Sequence, residues 1–174
     1  MSRPYDLIYC MDSSAFIDME RAAEHVPGLW EAMGDLADNG RLIMPKVLVE
    51  EECIKPWNQA WFDAHQGMVR SFSPELGDAM TQLQSDLSSD GQYMVHPGST
   101  RDRGDPWVVA LAMAESKLQT GLFDWAEVVV VAHEKATGAR RGKVKIPDAC
   151  IRYGIGCISL RDLLDREGYR VGRA

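Results

Sequence analysis

Carboxylate side chains stand next to apolar segments at five places in this 174-residue sequence. In chain order they are Asp12, Glu51, Asp105, Glu134 and Asp148. Carboxylates brought together repel one another, and some stay protonated unless a cation neutralises them. Ligand sets made only of oxygen select hard cations, Mg²⁺ or Mn²⁺, over zinc or copper. Such a site would support metal-assisted hydrolysis of a phosphodiester, because the ion activates water and stabilises charge on the scissile phosphate.

The elements that must position these acids are strands alternating with helices. Short runs rich in β-forming residues predict strands at residues 6–11, 41–44, 128–132 and 155–158. Helical periodicity occupies the segments between them. This alternation predicts one α/β domain over residues 1–174, with a mostly parallel central sheet flanked by helices.

Each acid falls after a predicted strand or near the start of the helix that follows one. Asp12 ends the first strand, and Glu51 lies on the helix that Pro45 opens after the second. Asp105 is predicted as the N-cap of the helix before the third strand, and Glu134 follows that strand. Open α/β sheets bind ligands at the carboxyl ends of their strands, so these acids are expected to meet at one sheet edge.

Each acid also has a purely structural interpretation. Asp105 could serve only as a helix cap, and Asp12 could only begin a turn. Glutamates 50–52 could form an exposed helix face that suits the helix dipole. Glu134 and Asp148 could belong to ordinary surface loops. Both interpretations stay open on spacing alone.

Composition limits the classes of protein that fit. With 45% hydrophobic and 26% charged residues the chain is expected to fold. No apolar run approaches the roughly 20 residues that a membrane helix needs, and the first residues are not a signal peptide, so we expect a cytoplasmic protein without membrane contact. The four cysteines form no CxxC pair, which disfavours a zinc site or a disulfide framework.

The net charge of −7 does not indicate a nucleic-acid binder, but local basic surfaces could still contact phosphates. Two short stretches supply candidate RNA-binding residues, which are Arg101, Arg103, Arg140, Arg141 and Lys143. The alternative is that both stretches are solvated loops.

Five segments taken together resemble the PIN-like nuclease superfamily, and most of all a bacterial toxin-type branch formed by a domain family of unknown function. In order they are IYCMDSSAFI, IMPKVLVEEE, GDPWVVALAMA, VVVVAHEKA and KVKIPDACIRYGIGCISLRDLL. The resemblance implies a PIN-like three-layer sandwich. It also implies an Mg²⁺- or Mn²⁺-dependent endoribonuclease that cleaves single-stranded RNA, often as the toxin of a toxin–antitoxin pair.

Carried over to this sequence, the resemblance makes Asp12, Glu51 and Asp105 the first, second and third catalytic acids. Glu51 fits a P-x-x-Leu-x-x-Glu spacing, with Glu50 as its rival because three glutamates run together. PIN proteins often carry Thr-x-Asp after the third strand, whereas this chain has Ala-His-Glu. The fourth metal ligand is therefore left open between Glu134 and Asp148.

The resemblance also gives Ser13 or Ser14 the role of orienting Asp12, the first acid. An activated water would attack phosphorus in line and leave a 5′-phosphate and a 3′-hydroxyl. Trp107 could stack a base or could face the core. The expected partners are RNA and a protein antitoxin, and a homodimer stays open.

Other functions fit less well. A non-catalytic PIN-like binding or scaffold module is the main alternative, supported by the Ala-His-Glu departure and the acidic balance. A haloacid dehalogenase-type phosphatase would need a second Asp where Ser14 stands. A phosphate-binding loop is disfavoured because the GxxxxGK[ST] pattern is absent.

Overall fold

The central sheet of the computed structural model is parallel and five-stranded. The structure describes residues 7–96, 98–99, 104–118, 126–138 and 142–169. Its strands are β1 (Leu7–Met11), β2 (Leu42–Pro45), β3 (Val69–Arg70), β4 (Gln92–Tyr93), β5 (Glu127–Val131), β6 (Gly142–Lys143) and β7 (Gly156–Ile158). The central sheet has the order β3-β2-β1-β5-β7, and β4 pairs with β6 in a separate parallel ladder.

Helices connect the strands and cover the sheet. They are α1 (Ser13–Ala23), α2 (Leu29–Asp38), α3 (Lys46–Leu48), α4 (Gln59–Ala64), α5 (Pro74–Ser89), α6 (Asp105–Leu118), α7 (Ile146–Arg152) and α8 (Leu160–Arg166). A π-helix (Val49–Cys53) directly continues α3, and a 3₁₀ turn (Gln66–Met68) precedes β3. Among the helices in the described ranges, none is long and apolar enough to cross a membrane.

The sheet separates two apolar cores, because neighbouring residues of a strand point to opposite faces. On one face, Tyr9 and Met11 of β1 pack in a cluster with residues of α1, α2 and α8. On the other, Cys10 packs in a cluster with residues of α5, α6 and α7. The valines of β5 divide in the same way between the two clusters, as expected for a strand buried on both faces. The result is a helix–sheet–helix sandwich.

The predicted α/β class with a parallel central sheet flanked by helices is confirmed. The predicted strands are present with ends that differ by one or two residues, and Asp6 lies outside the described residues. The main difference follows Pro45, where a regular helix was predicted. The chain instead forms three residues of α-helix and then the π-helix, which changes the direction of the glutamates that it carries.

Candidate functional site

Asp12 lies at the carboxyl end of the central strand β1 and is only 3% exposed. Its backbone N–H donates to the carbonyl oxygen of Val131 at 2.9 Å, which fixes it beside the end of β5. Its Oδ2 caps α1 by accepting from the backbone N–H and the hydroxyl of Ser14, at 3.2 Å and 2.5 Å. Its Oδ1 is buried and has no hydrogen-bond partner within the described residues. A buried oxygen left in this state costs about 1–3 kcal/mol, so an ordered water or a bound ion is expected to satisfy it.

Glu52 is the carboxylate that the structure brings to Asp12. Its Oε2 accepts from the hydroxyl of Ser13 at 2.5 Å, next to Asp12 in the chain. Burial raises the pKa of Asp12 above its usual value, and the negative charge of Glu52 raises it further, against hydrogen bonds from Ser13 and Ser14 that lower it. Two carboxylates therefore share one partly dehydrated place at the edge of the sheet.

The structure therefore brings Glu52, rather than the predicted Glu51, next to Asp12. The reason is the π-helix, in which the N–H of Ile54 donates to the carbonyl of Val49, five residues earlier, at 3.0 Å. Glu51 is exposed. Glu50, the predicted rival, is also exposed and pairs with Lys46 at 3.4 Å. Within the described residues, neither Glu50 nor Glu51 forms a hydrogen bond with Asp12 or with the serines beside it.

Asp105 is the first residue of α6, and the residue before it explains how close this helix comes to Glu52. A Cβ atom on Gly104 would lie 1.9 Å from Cδ2 of Leu48 and 3.1 Å from Oε1 of Glu52. Only glycine allows this approach, which places the start of α6 against the π-helix. The carbonyl of Gly104 accepts from the N–H groups of Trp107 and Val108, at 2.9 Å and 3.4 Å. Gly104 rather than Asp105 is therefore the N-cap residue, which corrects the prediction by one position.

Asp148 stabilises the loop after β5. Its carboxylate accepts from the backbone N–H groups of Thr137 and Gly138, at 2.8–3.0 Å, and from the Thr137 hydroxyl at 2.9 Å. Burial alone raises its pKa, but these donors outweigh burial and lower the pKa below the usual value. With its oxygens bonded in this way, Asp148 has a structural role in this loop, which is one of the two interpretations that the sequence leaves open.

Glu134 belongs to the same loop and contacts the segment at the start of α7. Its carboxylate lies 3.7 Å from Nζ of Lys145 and accepts from the N–H of Ile146 at 3.4 Å. A hydrogen bond with Cys150 lowers the pKa of the Cys157 thiol, whereas burial and the charges of Asp12 and Glu134 raise it. Both carboxylates therefore act on the same thiol. Of the two candidates for the fourth position, Glu134 has the fewer hydrogen bonds, but no contact joins it to Asp12 within the described residues.

Ser14 links Asp12 to the segment in which this chain carries Ala-His-Glu. Its hydroxyl donates to Asp12 and accepts from the backbone N–H of His133 at 3.3 Å. The His133 ring in turn bonds the Asp18 carboxylate through Nδ1. Ser14 thus makes the orienting contact to Asp12 that was expected of Ser13 or Ser14, while Ser13 makes a contact of the same kind to Glu52.

The predicted basic residues fall largely outside what can be described. The four arginines, which are Arg101, Arg103, Arg140 and Arg141, lie outside the described residues. Lys143 is exposed on β6. Sequence reasoning missed two other cations, Lys46 and Arg70, which line a cavity beside the π-helix. The position of Lys46 directly after Pro45 could have indicated it, since a strand end is where ligands bind.

A full set of metal ligands is not assembled in the part of the chain that the structure describes. There, no group of three or more His, Cys, Asp or Glu side chains is arranged to hold a metal ion. The arrangement consists of the pair Asp12 and Glu52, with Asp105 on the helix that begins against Glu52. Hydrogen bonds from Ser13 and Ser14 orient the pair.

The model of one protein family, described as a domain of unknown function (DUF4411), matches residues 9–171. The chain belongs to the DUF4411 family. Neither a curated protein nor a solved structure matches it. The DUF4411 match spans Asp12, Glu52, Asp105 and Glu134, so the whole candidate site lies within the family's domain. The description of the DUF4411 family names no activity, and the chemistry must be argued from the residues themselves.

Proposed function

We propose that this chain is a metal-dependent endoribonuclease of the PIN type that hydrolyses single-stranded RNA. The observation that carries the proposal is the buried, unpartnered Oδ1 of Asp12 at the carboxyl end of the central parallel strand, with Glu52 beside it. Ligand sites of open α/β sheets lie at this end of the strands. An unpaired carboxylate oxygen next to a second carboxylate suits a cation better than an anion or an apolar group.

The donors fit Mg²⁺ or Mn²⁺, because they are carboxylate oxygens and leave one strong acceptor free. When bound, such an ion supplies activation of water and neutralises charge that develops on the scissile phosphate. Asp12 would hold the ion through Oδ1 while Ser14 keeps Oδ2 in place. Glu52 would be the second ligand and is oriented by Ser13. Asp105, and then Glu134, would complete the acid set on the side of α6 and β5.

The rest of the proposal concerns partners and location. RNA is the substrate, a protein antitoxin is the proposed regulator, and the chain would act as the toxin of that pair. We place it in the cytoplasm, where thiols stay reduced, because all four cysteines are free. A homodimer remains part of the proposal to be tested by the oligomeric state in solution.

A second candidate function is a non-catalytic PIN-like binding module. The specific observation in its favour is that the described residues assemble no group of three metal ligands. Such a module would neither bind Mn²⁺ nor cleave RNA, so one experiment separates the two candidates.

That experiment compares cleavage of a fluorescently labelled single-stranded RNA by the wild type, Asp12→Asn and Glu52→Gln, with Mn²⁺ and with a chelator. Each substitution removes a charged ligand and keeps the size of the side chain, and we expect activity to fall at least about 100-fold. Asp35→Asn is the control, since Asp35 is an exposed carboxylate on α2 and does not line the cavity beside the π-helix. Equal activity in all four proteins, or cleavage that a chelator does not stop, would refute the nuclease. Absent cleavage together with absent Mn²⁺ binding would favour the module.

A further inference from the structure

A cavity of about 310 Å³ opens beside the acids, between the π-helix and α6. Glu51 lines it and is next in sequence to Glu52, and Trp107 lines it two residues after Asp105. The two elements that carry the candidate acids therefore also form walls of this cavity. Its volume lies at the small end of the range for small-molecule sites, about 300–1,000 Å³, which suits one flat ring system rather than a large ligand.

Two aromatic side chains line the cavity. Phe72 is 72% exposed, an unusual state for a phenylalanine in a folded chain. Its ring lies on the backbone of α5, because a Cβ on Gly77 would be only 2.8 Å from the ring's Cζ. Trp107 is half-buried and packs against the core below the cavity. A base could stack on these two rings with little loss of side-chain conformational entropy, because one ring is supported by a helix and the other by the core.

Two cations, Lys46 and Arg70, and two carboxylates, Glu50 and Glu51, line the cavity. Lys46 and Arg70 keep 51% and 36% of their side chains exposed, although each pairs with a glutamate at 3.4 Å. They supply positive charge for a phosphate. Glu51 is exposed and has neither a hydrogen bond nor an ion pair within the described residues. A free carboxylate accepts from an exocyclic amino group, as in contacts between Glu and the N4 amino group of cytosine.

We propose that this cavity binds one unpaired base of the RNA, stacked on Phe72 and Trp107, with its amino group donating to Glu51. The inference rests on the proposed function and adds a preference for the substrate. Adenine and cytosine carry an exocyclic amino group that donates to a carboxylate, whereas uracil presents the O4 acceptor at the equivalent position. The cavity therefore selects amino-bearing bases over uracil.

The test measures binding rather than cleavage, so that it does not depend on the chemistry. Wild-type protein in EDTA is titrated against fluorescein-labelled hexamers of adenylate, cytidylate, uridylate and abasic ribose phosphate, followed by fluorescence anisotropy. We expect tighter binding of adenylate and cytidylate than of the other two. Phe72→Ala should weaken adenylate binding about 5- to 140-fold, which is the stacking contribution of about 1–3 kcal/mol per base at 1.4 kcal/mol per tenfold. Phe72→Trp should retain binding.

Two controls make the result specific. Trp57→Ala removes another aromatic residue, 63% exposed and lining a different cavity, and should leave binding unchanged. Glu51→Gln should narrow the ratio of adenylate to uridylate affinity, because an amide can donate to O4. Equal binding of all four hexamers, or equal effects of Phe72→Ala and Trp57→Ala, would overturn the base site. Base-dependent binding without any Mn²⁺-dependent cleavage would contradict the nuclease alone, and cleavage with base-independent binding would contradict the base site alone.

Discussion

Gly104 is the position at which the packing of α6 against the π-helix can be tested most directly. A Cβ there would lie 1.9 Å from Cδ2 of Leu48, a buried side chain, whereas carbon atoms in contact are about 3.5–4.0 Å apart. Gly104→Ala therefore requires a displacement of about 1.6–2.1 Å by subtraction. Neither neighbour can move freely, because Leu48 is packed in the core and Glu52 Oε1 lies 3.1 Å from the same point.

The expected loss of stability follows from this overlap. Overpacking of a core costs about 1–3 kcal/mol, and an overlap of this size belongs at the upper end. Alanine also restricts the unfolded chain, which returns about 0.4–1 kcal/mol. We therefore expect Gly104→Ala to lower the free energy of unfolding by about 2–2.6 kcal/mol, or roughly 4–10 °C in Tm for a domain of this size. Displacement of Glu52 should also weaken Mn²⁺ binding.

Urea unfolding followed by circular dichroism measures the effect, with Gly67→Ala as the control. A Cβ on Gly67 meets nothing within 4 Å, so this substitution should be neutral or slightly stabilising. In a Leu48→Ala background the clashing atoms are gone, and Gly104→Ala should then cost less than about 1 kcal/mol. If the cost at Gly104 matches that at Gly67, or is the same with and without Leu48, the inferred close approach is wrong.

Two further substitutions test the assignment of individual acids. Glu52→Gln should weaken Mn²⁺ binding, measured by calorimetry, by at least the roughly 10–100-fold seen when residues that support a metal ligand are mutated. Glu51→Gln should leave Mn²⁺ binding unchanged. If Glu51→Gln weakened binding and Glu52→Gln did not, Glu51 would be restored as the second ligand. Asp148→Asn should lower stability at pH 7 by about 1 kcal/mol, after allowance for solvent exposure. Because folding lowers the pKa of Asp148 below 3.8, this contribution is present above that pH and lost as the pH falls through the folded value. The difference in stability between wild type and Asp148→Asn should shrink as the pH is lowered below 3.8, and a difference that does not change with pH there would contradict this account.

Much of the fold could be predicted from the sequence because its signals are local. The four consecutive valines of β5 indicate a strand that is buried on both faces. Asp12 follows the apolar run of β1 directly. With parallel strands established, Asp12 is expected at the edge where open α/β sheets bind ligands, without knowledge of any contact. The position of the first acid therefore follows from periodicity and topology.

The second acid could not be predicted in the same way, because its direction depends on how one turn of helix is wound. Glu50, Glu51 and Glu52 are chemically identical, so only the directions of their side chains distinguish them. The prediction of Glu51 corresponds to a regular α-helix after Pro45. The bond from the N–H of Ile54 to the carbonyl of Val49 gives this turn its π-helical winding, and the lack of a side chain at Gly104 lets the start of α6 approach it closely. Neither feature leaves a periodic pattern in the sequence.

The state of Asp12 bears on whether the chain is a nuclease or a binding module. If the site held no cation, protonation would be the other means of removing the charge of this buried carboxylate. Protonation of Oδ1 would create an O–H donor, and the neighbouring Glu52 carboxylate offers acceptor oxygens, one of which also accepts from Ser13. A cation would instead neutralise both carboxylates and give Oδ1 a partner. Mn²⁺ binding by the wild type that Asp12→Asn loses would therefore support the metal site, whereas absent Mn²⁺ binding would support the module.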